Sequence, residues 1–151
     1  MEITLCVSQS KVFDEVVQTA EYTGSKMDDD TNAYTRISIK DENLPELRRF
    51  WDECRGEVSK AFMRMLCREG MAADGDRYEL VLDVSVAFDR ALLPGMELGL
   101  FSYFVQGIAA KWYSYVNKKE AGEYASACRR YLEEIKEKAF YKKKPVRPTY
   151  G

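Results

Sequence analysis

The chain of 151 residues contains no histidine. That absence removes Ser-His-Asp and Cys-His nucleophile relays, H-E-x-x-H zinc sites and imidazole acid–base chemistry. Cysteine is sparse and unpatterned: Cys6, Cys54, Cys67 and Cys128 form no C-x-x-C pair and match no zinc-site spacing. They read as reduced thiols of a protein folded in a cytosol, with Cys54 and Cys128 acting as small hydrophobes on helix faces. Long apolar runs are also missing. The most apolar segment is interrupted by Ser102, Gln106 and Lys111, so no membrane span or membrane partner is expected. The N-terminus has neither the basic nor the apolar region of a signal peptide. Gly95-x-x-x-Gly99 lacks the Lys-Ser/Thr of a phosphate-binding loop, and no repeat of 20–50 residues occurs. The expectation is a protein without enzymatic activity, cofactor or metal.

What is present suits a single core. Hydrophobic residues make up 46% of the chain and aromatics 13%, enough for one globular domain over 1–140. The net charge is −2, but it is unevenly placed. Residues 141–151 hold four basic residues and no acid, so the body carries 19 basic against 25 acidic residues. An acidic body with a basic end is suited to pairing head to tail with copies of itself.

Periodicity sets out the elements. Ile3, Leu5 and Val7 alternate with polar neighbours and predict a strand over Glu2–Val7. Ser8 and Ser10 are candidate caps of a first helix through Phe13, Val16, Val17 and Ala20, closed by Gly24. Asp28-Asp29-Asp30-Thr31-Asn32 reads as an acidic loop, and Tyr34–Ile39 as a brief strand. Asn43-Leu44-Pro45-Glu46 has the signature of a helix start. The stripe that follows, from Leu47 to Met65 and Leu66, predicts a helix of about 24 residues and roughly 36 Å closed by Gly70. Asp74-Gly75-Asp76 marks a turn. Alternation from Tyr78 to Phe88 predicts a second strand, paired with the first. Leu98, Phe101, Phe104, Val105, Ile108, Ala109, Trp112, Tyr113 and Val116 predict a core helix after Pro94-Gly95. Asn117 and Glu120 cap a last helix, which makes an antiparallel hairpin with it. The fold class is therefore α+β and mainly helical: four helices with a small antiparallel sheet and an extended C-terminal arm. The expected core is Phe50, Trp51, Phe62, Leu82, Val84, Phe101, Ile108, Trp112, Leu132 and Ile135.

Candidate chemistry is thin. Asp28-x-Asp30-x-Asn32 opens like a calcium loop, yet Ala33 and Ile39 stand where that loop requires Gly and Glu. Glu120, Glu123, Glu133, Glu134 and Glu137 read as a solvated face, since inward di-metal sites use Glu-x-x-His. Cys67 lies near Arg64 and Arg68, surroundings that lower a thiol pKa, but the plainer reading is a helix end. Gly122 inside the last helix marks either a close crossing or nothing. The segment with a functional character is the tail: Tyr141, Lys142, Lys143, Lys144, Pro145, Val146, Arg147, Pro148 and Tyr150. Its prolines keep it extended. Val146 and Tyr150 suit apolar anchorage on a neighbouring protein, and its cations suit phosphates.

Several stretches together resemble the small head–tail connector (adaptor) proteins of tailed bacteriophages. These are Asp14-Glu15-Val16-Val17 with Thr23-Gly24, the acidic loop, and the helix bearing Phe50-Trp51. Further along come the helix ending Ala110-Lys111-Trp112-Tyr113, then Tyr131-Leu132 and Ala139-Phe140-Tyr141-Lys142-Lys143-Lys144-Pro145. The resemblance implies a virion structural protein, made in the host bacterial cytoplasm, that forms a homo-oligomeric ring at the portal vertex. It implies the portal protein and other neck or tail proteins as partners, with packaged DNA as a non-specific contact of the basic arm. It carries over no catalytic residue. The strand over Tyr78–Phe88 departs from connectors that are nearly all helix. The alternative is a small non-virion interaction module, such as a regulatory protein of a mobile element.

Overall fold

A computed structural model describes residues 1–26 and 39–141, the side chains of 23–26 excepted. The expected acidic loop, the strand over Tyr34–Ile39 (but for Ile39 itself) and the arm beyond Tyr141 lie outside the described residues. The chain runs β1 (Glu2–Ser8), α1 (Gln9–Lys26), a helical turn over Asp41–Asn43, α2 (Leu44–Ala61), β2 (Leu66–Met71), β3 (Arg77–Asp83), a second turn over Arg90–Leu92, α3 (Leu93–Val116) and α4 (Lys118–Phe140). Four helices and a small antiparallel sheet make it a mainly helical α+β fold.

The sheet has the order β1-β3-β2, both pairings antiparallel. β1 pairs with β3 as its alternation predicts, with Glu2 opposite Asp83 and Leu5 opposite Leu80. Ile3, Leu5 and Val7 face inward together with Tyr78, Leu80 and Leu82. The N–H of Cys6, on the outer edge of β1, donates to Glu97 Oε2 of α3 at 3.1 Å, so that edge is covered. Asp76 holds the join to α1: its carboxylate accepts from Ser8 Oγ at 2.7 Å and Ser10 N at 2.8 Å, and its carbonyl accepts from Gln9 N at 2.9 Å. The cap of α1 thus comes from the β2–β3 turn as well as from Ser8. That turn needs Gly75, whose φ of 73° is left-handed.

β2 is the main difference from the sequence reading. The predicted helix closing at Gly70 stops instead at Ala61. The backbone turns at Phe62, and the chain reverses so that Met65 O accepts from Asp83 N at 2.7 Å. Phe62 and Met65 remain buried, so the turn satisfies their side chains without the helix. Leu66 and Arg68 pair with Leu82 and Val81, and Cys67 between them is the extra residue of a bulge.

Three smaller corrections have similar causes. β3 ends at Asp83, not Phe88: Val84 and Phe88 are buried, but Val86 is 88% exposed and Phe88 N closes a turn on Ser85 O. α1 runs past Gly24 to Lys26. Asn43 makes no side-chain cap on α2, because its Oδ1 accepts from Lys40 N at 3.0 Å instead.

α3 is the central element, touching α1, α2, β1 and α4. Its buried residues therefore run around the helix, and Met96, Leu100, Tyr103 and Phe104 are completely enclosed. Leu98, expected in the stripe, is 70% exposed, and Phe101, Trp112 and Leu132 are only partly buried. The other seven residues of the expected core are buried. Trp51 sits at the centre. It stacks on Phe104 with centroids 4.2 Å apart and meets Phe13 and Tyr78 edge-on, joining α2, α3, α1 and β3. Only Asn117 separates α3 from α4, and its Oδ1 accepts from Lys119 N and Glu120 N as the capping signature predicts. The hairpin is antiparallel: Tyr113 stacks on Tyr124 near the turn, while Gly99 meets Ile135 farther away.

Candidate interaction surfaces

The arm expected to bind partners is visible only at its root. α4 ends at Phe140, and Tyr141 turns extended, with φ −67° and ψ 131° and its N–H on Lys138 O. Lys142, Lys143, Lys144, Pro145, Val146, Arg147, Pro148 and Tyr150 lie outside the described residues. Tyr141, half exposed, borders a small hollow with Asp89, Leu92, Glu137 and Lys138.

Beside that root the structure assembles a surface that the sequence reading did not. The end of α2, the turn after it and the last turns of α4 enclose a hollow of about 420 Å³. Its lining holds three cations, Lys60, Arg64 and Lys136, and no acidic residue. Phe62 and Met65 are buried there, whereas Met63 is 72% and Phe140 57% exposed. None of the three cations forms an ion pair with a described residue. The hollow is therefore apolar with a basic rim, and it adjoins the start of the basic arm. The signal for it was divided between Lys60-Ala61-Phe62-Met63-Arg64 and Lys136…Phe140. Each looked like an ordinary helix end until the fold brought them together.

A second cluster joins α2 to α3. Tyr103 Oη lies 3.0 Å from both Cys54 O and Glu57 Oε2, and Lys111 Nζ lies 3.3 Å from Glu53 Oε2 and from Glu57 Oε1. Burial, reinforced by nearby negative charge, pushes the Tyr103 hydroxyl far above its ordinary range. Burial alone would lower the Lys111 pKa, but Glu57 and Glu53 bring it to a net rise. Burial also pushes up the Cys54 thiol and raises that of Cys128 to about 12. All of these groups are held further from neutrality, which suits clamping helices together better than moving protons.

Other candidates resolve simply. Cys67 is exposed, and its thiol is shifted up by desolvation and then by Glu2 and Asp83, the opposite of activation by Arg64 and Arg68. Glu123, Glu133, Glu134 and Glu137 are exposed and Glu120 is half-buried. No group of three acidic or cysteine side chains among the described residues is placed to hold a metal ion. No described helix is long and apolar enough to cross a membrane. Gly122 meets no neighbour, and the close crossing is at Gly107, where an added Cβ would lie 2.9 Å from Cys54 Sγ and 3.1 Å from Cys128 Sγ. Among the described residues no strand pairs with the outer edge of β2.

These features describe a helical α+β protein whose distinctive surface is an apolar and basic end. Comparison with protein-family models, curated proteins and solved structures finds no match for the chain.

Proposed function

We propose that this protein is a structural component of an assembly, of the head–tail connector type of tailed phages, built into a ring through its C-terminal end. One observation carries the reading: α4 ends in exposed Phe140 and Tyr141, close to exposed Met63, where the chain turns extended into its most basic segment. Exposed apolar side chains gathered at an arm's root suit an interface better than open solvent. The arm's charge opposes that of the body, which steers it toward an acidic face on a neighbouring subunit. In this reading Val146 and Tyr150 anchor the arm, and Lys142, Lys143, Lys144 and Arg147 meet carboxylates of the neighbour or the phosphates of packaged DNA. The portal and other neck proteins are the remaining partners, and the virion is the destination. The absence of histidine and the direction of the pKa shifts support assembly over catalysis.

Truncation after Phe140 tests the proposal. The truncated chain should melt within a few degrees of the full chain but fail to form rings or particles. Normal assembly without the arm would overturn the reading. Unfolding would assign the arm to the monomer's own core.

A further inference from the structure

We propose that the basic hollow between α2 and α4 receives the acidic stretch Met27-Asp28-Asp29-Asp30 of a second copy of the chain. Lys60, Arg64 and Lys136 converge on a hollow whose lining contains no carboxylate. Its floor and rim are apolar, through Phe62, Met65, Met63 and Phe140. A fitting occupant therefore carries several negative charges beside an apolar side chain. Residues 142–151, which follow Phe140 and Tyr141 in sequence, are basic and would be repelled. Met27-Asp28-Asp29-Asp30 is the densest acidic run in the sequence, and Met27 supplies the apolar residue. Three carboxylates against three cations give complementarity at the scale of one short peptide.

The placement of α1 favours a second copy over the same chain. α1, which leads into that stretch, makes its main contacts with α3 and β1, whereas the hollow is built from α2 and α4. The proposal shares Met63 and Phe140 with the surface at the arm's root, but it does not depend on the virion reading, since neither the hollow nor its occupant includes residues 142–151.

A charge exchange in the full-length protein tests it. One variant reverses the hollow, Lys60→Glu with Arg64→Glu and Lys136→Glu. The other reverses the stretch, Asp28→Lys with Asp29→Lys and Asp30→Lys. Circular dichroism melts establish that each is folded, and sedimentation velocity over a concentration series measures self-association. Wild type should associate, and each variant alone should associate about tenfold or more weakly. An equimolar mixture should recover, because each variant then meets its opposite. A wild type that stays monomeric throughout the series overturns the proposal. So does either variant associating like wild type, or a mixture that does not recover. Loss on reversing the hollow alone, with retention of a random-sequence oligonucleotide by the wild type, would assign the hollow to nucleic acid instead.

Discussion

Replacing Gly107 by Ala puts the helix packing to a test in which the sign of the result decides. Gly107 is buried in the middle of α3, between Cys54 of α2 and Cys128 of α4. Helix propensity alone favours the alanine by about 1 kcal/mol. Packing opposes it: the new methyl would lie 2.9 Å from one sulfur and 3.1 Å from the other. Cys54, the nearer of the two, is fully buried with one side-chain torsion, so its sulfur has little room to give, whereas Cys128 borders a hollow of about 430 Å³. Overpacking of this kind costs about 1–3 kcal/mol. The net expectation is a loss of up to about 2 kcal/mol, measured by urea unfolding with fluorescence of the buried Trp51 as reporter. The same substitution in a Cys54→Ala, Cys128→Ala background should be neutral or stabilising, because the methyl then fills space the sulfurs have left. A gain of about 1 kcal/mol in the wild-type background would show that no close crossing at Gly107 opposes helix propensity.

Trp51→Ala should cost about 3–5 kcal/mol, and half-buried Trp112→Ala roughly half of that or less, both read from chemical denaturation. Tyr103→Phe should lose about 0.5–1.5 kcal/mol in the same assay, since the hydroxyl it removes serves both Cys54 O and Glu57. The Ser8 and Ser10 hydrogen bonds hold the Asp76 carboxyl below the usual carboxylate range. Its stabilisation is therefore complete above its unfolded pKa, about 4, and is lost as pH falls through the lower folded value. Asp76→Ala should accordingly melt below wild type at neutral pH, and the gap should close in acid. A gap independent of pH would mean that the carboxylate does not cap α1.

The elements most legible in the sequence were those whose local pattern and packing agree. β1 and the core of β3 alternate cleanly, and the Asn117 side chain caps α4 as its spacing from Glu120 predicts. β2 was illegible because Phe62, Met65 and Leu66 continue the helical spacing of Val58 and Ala61. Pairing with β3 overrides that local preference. One signal was available: Asp74-Gly75 is a strong hairpin turn, and a strand after it implies a strand before it. α3 misled in the opposite way. Buried residues in its middle turns point in every direction, so no single stripe can be read, and exposed Leu98 could not be told from buried Leu100 by spacing. The basic hollow needed the tertiary fold, because Arg64 and Lys136 are 72 residues apart in sequence.

The position of β3 between β1 and β2 also orders events during synthesis. β1 leaves the ribosome well before β3, and Glu2 pairs with Asp83, so its ladder cannot close until β3 has followed. The β2–β3 hairpin is local and closes first, leaving one open flank for β1 to join. Until then Ile3, Leu5 and Val7 have no strand to cover them. A nascent chain stalled before Arg77 would display that stretch to chaperones, and release beyond Asp83 would withdraw it.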